Sequence, residues 1–221
     1  LFSKVNADDC PQGLAQTQPL LENFFATTLS VNVEPSLSVL ISGPPGCGKT
    51  LAVALAAASL RGKSSKSKTF HQLRNMVCIH YQCSQTTNVQ DIVELYRNAN
   101  RQQRLVVGND QTRDRIMIII DEAGLPSERK QVMKAAHDAL EDMSGPPTIM
   151  LSNLVLDAAK TNRCLHVSHT SASSSDMVLL CCNLLLNKAD FVAVRSLLDT
   201  GTMSGGAAGV GRAAAGAGRQ A

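Results

Sequence analysis

The sequence predicts a three-layer α/β fold, a parallel sheet covered by helices on both faces, and three observations carry the prediction. Strand-like and helix-like segments alternate between Ser36 and Ser168, the order that builds crossover units around a parallel sheet. Arg115–Ile120 contains an unbroken Ile-Met-Ile-Ile-Ile run, which requires burial on both faces, as in a central parallel strand. A glycine-rich turn, Gly43–Gly48, separates an apolar strand from an apolar helix.

In chain order, Leu20–Leu29 reads as a short helix and Ser36–Ser42 as a buried strand. Lys49–Leu60 is apolar on nearly every side, which suits a helix packed against a sheet. Gly62–Lys68 is a polar loop and Met76–Cys83 a second strand. Asn88 can cap a helix whose Ile92, Val93, Leu95, Tyr96 and Ala99 form one apolar stripe. Arg115–Ile120 is the third strand. Val132, Ala136, Leu140 and Met143 recur at helical spacing, so Glu128–Met143 reads as a helix, stopped by Pro146 and Pro147. Thr148–Ser152 is a fourth strand, expected between the strand before the glycine turn and the Ile-rich strand, and Cys164–Ser168 is a fifth. Beyond Ser168 a Ser-rich stretch precedes two helical candidates, Asp176–Asn187 and Ala189–Leu198.

Composition sets the outer limits. The 221 residues are 44% hydrophobic, 18% charged and 3% aromatic, with a formal net charge of +3. That is enough for one α/β domain plus an appendage and too apolar for a wholly disordered chain. Of the 21 residues from Gly201 to Ala221, seven are Gly and seven are Ala. Side chains that small bury too little area to offset backbone entropy, so 201–221 is expected to be a disordered tail. The chain opens on Leu1 rather than Met, as expected of a fragment or a processed form. The longest apolar run, Leu51–Leu60, is too short for the roughly 20 residues of a transmembrane segment, and no leader pattern is present. The seven cysteines are odd in number and include no C-x-x-C pair, which fits a reduced, cytoplasmic compartment. A charge of +3 is too small to argue for a nucleic-acid partner, and Arg61, Lys63, Lys66 and Lys68 read as a solvated loop. The expected organisation is a flanking segment at 1–35, a core at 36–168, a short helical segment at 169–200 and the tail at 201–221.

The chemistry concentrates at three strand ends. Gly43-Pro44-Pro45-Gly46-Cys47-Gly48-Lys49-Thr50 fits the G-x-x-x-x-G-K-[ST] pattern of a phosphate-binding P-loop. Its glycines let backbone N–H groups converge on phosphate oxygens, and the following helix adds the positive end of its dipole. Lys49 would neutralise the β- and γ-phosphate oxygens, and the Thr50 hydroxyl would ligate Mg²⁺. Asp121-Glu122 closes the Ile-rich strand, where adjacent like charges do nothing for stability. In P-loop folds the acid at this strand end holds Mg²⁺, which makes Asp121 the metal candidate. Glu122 can then act as general base on an attacking water. Asn153, at the end of the fourth strand, is an ordinary turn residue when taken alone, but beside the P-loop strand its amide can orient that water. The implied ligands are a nucleotide with β- and γ-phosphates and Mg²⁺. Cys47 reads as a small filler residue of the loop, and His71, His80, His137, His166 and His169 show no paired ligand spacing and read as surface or strand residues.

Together these motifs resemble the AAA+ ATPases, with Walker A at 43–50, Walker B at Ile116–Glu122 and a sensor-1 asparagine at Asn153. The resemblance covers residues 36–168. Tyr81-Gln82-Cys83-Ser84, Asp121-Glu122-Ala123-Gly124-Leu125 and the run Ser152-Asn153-Leu154-Val155-Leu156-Asp157-Ala158-Ala159-Lys160-Thr161-Asn162-Arg163 are similar to an ATPase module of the mysterin family, giant RING-type E3 ubiquitin ligases with a dynein-like row of AAA+ modules. The resemblance implies a P-loop NTPase core that hydrolyses ATP; the sequence departs from it after Ser168, where two short helical candidates stand in place of the usual larger lid bundle, a short and incomplete lid. The resemblance places Arg163 at the arginine-finger position, which reaches the γ-phosphate of an adjacent AAA+ module in the same chain or an oligomer. An arginine in that role is worth about 10³–10⁵ in rate in related GTPases; the plainer reading of Arg163 is a salt bridge at a helix end. Arg195 is the only candidate for a sensor-2 arginine. No Cys and His set has zinc spacing, so ubiquitin transfer is not expected within this chain, and the ubiquitin pathway enters by resemblance alone. Two rival readings are a nucleotide-binding structural module with little turnover and a module of another AAA+ remodeller or dynein-like motor.

Overall fold

A computed structural model describes residues 1–5, 14–107, 114–126, 132–142, 144–154, 156, 158–170 and 173–185. Five strands, β1 (Val39–Ser42), β2 (Asn75–Gln82), β3 (Asp114–Asp121), β4 (Thr148–Ser152) and β5 (Leu165–Ser168), form one sheet in the order β2-β3-β4-β1-β5. Every neighbouring pair is parallel, and β4 lies between β1 and β3 as the sequence predicts. The helices are α1 (Gln18–Asn32), α2 (Lys49–Ser59), α3 (Val89–Val107), α4 (His137–Glu141), α5 (Ala158–Thr161) and α6 (Ser174–Leu185). This is the α/β architecture of P-loop NTPases.

Alternation along each strand divides the core into two layers. Val39, Ile41, Met117, Ile119, Ile149 and Leu151 point to one face and pack with α1 and α2 through Leu20, Phe24, Ala52, Val53 and Ala56. Leu40, Ile116, Ile118, Ile120 and Met150 point to the other and pack with α3 through Ile92, Leu95, Tyr96 and Ala99. The Ile-rich strand is therefore buried on both sides, each isoleucine contributing roughly 1.5–3 kcal/mol of burial. The chain leaving β1 enters α2 on the first face, whereas Leu156, just after β4, packs into the second. Adjacent parallel strands whose connections part to opposite faces leave a crevice at their carboxyl ends, where α/β sheets bind ligands.

Local signals account for the ends of the elements. Asn88 caps α3 as expected: the Asp91 N–H donates to Asn88 Oδ1 at 3.1 Å and the Asn88 N–H donates back to Asp91 Oδ2 at 2.9 Å, a reciprocal capping box. The Tyr96 and Thr148 hydroxyls bond at 3.0 Å, tying α3 to β4. Asp176 is buried and accepts from the Gln18 N–H at 3.0 Å and the Ser173 hydroxyl at 2.6 Å, joining the first turn of α6 to the first turn of α1.

Several expectations shift. The strand expected at Ser36–Ser42 begins at Val39: ahead of it the Ser36 hydroxyl donates to Gly145 O and the Ser38 hydroxyl accepts from the Thr148 N–H, while Ser38 O accepts from the Leu165 N–H. The first helix extends beyond Leu20–Leu29 at both ends, starting with a proline in its first turn. The helix expected over Glu128–Met143 is, among the described residues, a 3₁₀ turn at Val132–Ala136 followed by α4. Val132, Ala136 and Leu140 are all buried; their spacing sets which residues face the sheet, but not whether each turn closes at i+3 or i+4. The final helix begins at Ser174 rather than Asp176 and is described as far as Leu185; positions 186 and 187 of the expected Asp176–Asn187 lie outside the described residues. Ala189–Leu198, Arg195 and the 201–221 tail lie outside the described residues. No helix among the described residues is long and apolar enough to cross a membrane.

Ile118→Ala, at a fully buried site in the central strand, is expected to cost about 2–5 kcal/mol, and Asn88→Ala, which removes only a cap, about 1 kcal/mol. Urea unfolding of both variants measures these costs, and the larger loss belongs to Ile118.

Candidate functional site

Strand register assembles the site. Ser42 pairs with Ser152 and Ile120 with Met150, so Gly43, Asn153 and Asp121 leave the sheet together. The Gly43 N–H donates to Ser152 O at 3.1 Å and the Ala123 N–H to Leu151 O at 2.9 Å, extending the ladder into both loops. They border a cleft of about 420 Å³ lined by Pro45, Gly46, Gly48, Lys49, Thr50, Leu51, Asp121, Glu122, Ser152 and Asn153.

The loop owes its shape to two left-handed glycines, Gly46 at φ +87° and Gly48 at φ +79°, a region costly for residues with a Cβ. Gly48 also packs on α1, where an added Cβ would meet Leu20 Cδ1 at 3.0 Å. Gly48 is the N-cap of α2; no side chain caps that helix and no acid lies in its first turn, which leaves its N–H groups and positive dipole end for an anion. Lys49 is buried, and its ammonium donates to Gly43 O at 2.8 Å and Pro44 O at 3.0 Å. The loop thus holds a cation at its centre.

Opposite the loop, Thr50 Oγ1 donates to Asp121 Oδ2 at 3.4 Å. A hydroxyl and a carboxylate side by side form a hard oxygen donor pair of the kind Mg²⁺ prefers, so these residues fit that ion. Glu122 occupies the left-handed region at φ +54°, which costs a non-glycine residue about 1–3 kcal/mol. Three bonds support it: its N–H donates to Asp121 Oδ1 at 2.8 Å, and the Asn153 amide donates to its carboxylate oxygens at 2.9 and 3.2 Å. The turn that follows is tight, since a Cβ on Gly124 would meet Ser152 Oγ at 2.8 Å.

Lys49, Thr50, Asp121, Glu122 and Asn153 therefore converge as the sequence predicts. Gly43, Pro44 and Cys47 stand behind the cleft: the first two present carbonyls to Lys49, and Cys47 O accepts from Asn23 Nδ2 at 3.2 Å. Arg163 is not on the cleft wall. Its Nε donates to Glu141 Oε1 at 2.5 Å, the salt bridge of the plainer reading. Sequence reasoning missed Asn23 and undervalued His169, whose side chain is 7% exposed and reaches Asn23 across 146 positions; no local pattern carries a contact of that separation. Burial pushes the thiols of Cys78 and Cys83 up to about 11 and that of Cys164 up to about 12, so these sulfurs stay protonated and unreactive at neutral pH.

The family model described as the RNF213 AAA domain matches residues 13–176. An uncharacterized Dictyostelium discoideum protein, named as a transmembrane protein, is 35% identical over 166 residues, covering 72% of this chain and 3% of that protein. The human E3 ubiquitin-protein ligase RNF213 is 29% identical over 175 residues, covering 75% of this chain and 3% of that protein. The chain thus spans only about 3% of the length of these relatives. The solved structure of C. elegans PCH-2 matches with TM-score 0.40 at 15% identity, covering 82% of this chain and 46% of that one.

The two left-handed glycines differ in their surroundings: a Cβ on Gly46 would meet nothing within 4 Å, whereas one on Gly48 would strike Leu20. Gly46→Ala is expected to destabilise the fold by about 1–2 kcal/mol from φ alone, and Gly48→Ala by more. Urea unfolding tests the order, and a double-mutant cycle of Gly48→Ala with Leu20→Ala should show the two losses to be less than additive.

Proposed function

The chain belongs to the RNF213 AAA domain family, within the AAA+ proteins, and from that premise we propose that it binds Mg·ATP and hydrolyses it to ADP and phosphate. One observation carries the reading: the P-loop cation and hydroxyl, Lys49 and Thr50, share a single cleft with Asp121, Glu122 and Asn153. Lys49 supplies the counter-charge for the β- and γ-phosphate oxygens, and the N–H groups of the loop and of the α2 N-terminus supply donors. Thr50 and Asp121 would hold Mg²⁺, which, when bound, neutralises charge on the phosphates. Glu122 takes the proton of the attacking water as that oxygen bonds to the γ-phosphorus and the bond to the β–γ bridging oxygen breaks. Asn153, already bonded to Glu122, orients the carboxylate and the water between them.

Arg163 acts in trans in this reading, leaving Glu141 to reach the γ-phosphate of an adjacent AAA+ module. The parent would be a mysterin-like ubiquitin ligase whose ATP cycle changes the shape of a larger assembly. The unpaired cysteines among the described residues support a reducing, cytoplasmic setting. One observation favours a second reading, a nucleotide-gated module with little turnover: both Glu122 oxygens are engaged by the Asn153 amide, so an attacking water would have to compete with that amide for the carboxylate. Single-turnover hydrolysis separates the two, since tight ATP binding without phosphate release would sink the enzyme.

Lys49→Ala is expected to weaken ATP binding by about 2–5 kcal/mol, while Glu122→Gln keeps binding and slows hydrolysis about 10²–10⁴-fold; equilibrium binding and phosphate release measure the pair. Arg163→Ala should reduce turnover only where modules touch. An equal loss in a strictly monomeric preparation would count against a role in trans.

A further inference from the structure

We propose that Asn23 and His169 form a positioning relay that aims a P-loop N–H at the phosphate, a role that rests on the nucleotide reading above. The relay begins on α1, whose Leu20 and Asn23 lie three residues apart and so share one face. Leu20 packs under Gly48, and Asn23, fully buried, donates its Nδ2–H to Cys47 O at 3.2 Å. The peptide joining Cys47 to Gly48 is planar and trans, so its carbonyl and its N–H point in opposite directions. Holding the Cys47 carbonyl toward α1 turns the Gly48 N–H away from α1, and Gly48 lines the cleft while Asn23 does not. One side-chain hydrogen bond behind the loop thereby sets the direction of a donor in front of it.

Donor logic then determines the rest of the relay. A carbonyl only accepts, so Asn23 must present its NH₂ to Cys47 O and its Oδ1 to the other side. There Oδ1 lies 2.7 Å from His169 Nε2, which must therefore carry a hydrogen. An unprotonated Nε2 would favour the flipped amide, setting Asn23 Oδ1 against the Cys47 carbonyl, two acceptors face to face. His169 Nδ1 faces Glu22 Oε2 at 3.7 Å. Burial holds the His169 pKa below its ordinary value, with Glu22 opposing and the Lys49 charge assisting. His169 is itself fixed from below, since its N–H donates to Ser42 O at 2.8 Å and a Cβ on Gly43 would meet His169 Cβ at 3.0 Å. The residue after β5 and the second turn of α1 thus grip the loop from behind.

A relay of this kind serves binding of the phosphates common to ADP and ATP, not the chemical step. The test uses the full 221-residue chain with ADP and ATP as probes, and Lys49→Ala as the reference for lost binding. Asn23→Leu keeps the volume and removes the amide, His169→Leu removes the ring donor, and His169→Gln restores a donor near the Nε2 position. Asn23→Leu and His169→Leu should each raise the Kd of ADP and ATP alike by about tenfold, leaving the rate at saturating ATP within about twofold. His169→Gln should stay within about threefold of the wild-type Kd. Wild-type ADP affinity in a folded Asn23→Leu chain would overturn the relay while Lys49→Ala still confirmed nucleotide binding; failure of the unaltered chain to bind either nucleotide would remove the reading and the relay together. Should Asn23→Leu not fold, the His169 pair decides, and a Gln variant as weak as the Leu variant overturns the proposal. Independently of nucleotide, the ¹⁵N spectrum of His169 at neutral pH should show hydrogen on Nε2, and hydrogen on Nδ1 alone would refute it.

Discussion

The parallel pairing of β1 with β4 is the constraint on which the cleft depends. Because Ser42 lies opposite Ser152, the P-loop and Asn153 leave the sheet at the same height. Pairing β3 with β4 through Ile118–Ile120 brings Asp121 to that height as well. Side chains alternate with period two, so a slip of one residue in β4 would send Ile149 and Leu151 to the face now occupied by Met150. The two apolar layers would then present the wrong side chains to α2 and α3. Core packing and site geometry are thus enforced by the same register, and the dry interior guards the wet cleft.

Around the cleft, polar groups are held from behind rather than left to find their places. Lys49 rests on two loop carbonyls, Thr50 on Asp121 and Glu122 on Asn153. Pre-arranged dipoles and charges of this kind need little reorganisation when a charged ligand arrives. Glu122 bears the local cost in its left-handed backbone, a conformation that persists only where neighbouring bonds over-determine it. The bonds from Asn153 and to Asp121 supply that determination.

The sequence made legible whatever short-range pattern controls. The Ile-rich run announced a strand buried on both faces, Asn88 announced its cap, and Gly43–Thr50 with Asp121-Glu122 announced two walls of the cleft. The place of the fourth strand between those walls was legible too, and with it the position of Asn153. Polar contacts between distant residues stayed hidden, because neither periodicity nor spacing records them. Asn23 reads as one polar residue on an apolar helix and His169 as a strand-end histidine; only folding makes them neighbours. The Arg163–Glu141 bridge is of the same kind. The 3₁₀ turn at Val132–Ala136 was illegible for another reason, since a buried i, i+4 stripe is compatible with more than one way of closing the turn.

The buried carboxylate of Asp176 has a mechanical meaning. It receives the Gln18 backbone N–H while closing the first turn of α6 through Ser173, so the start of α6 is welded to the helix that supports the P-loop. Prising the two apart would strand a carboxylate in a dry setting, at a cost of about 1–3 kcal/mol or more. The start of α6 is therefore tied to the helix behind the P-loop by a short polar strut rather than by apolar packing alone.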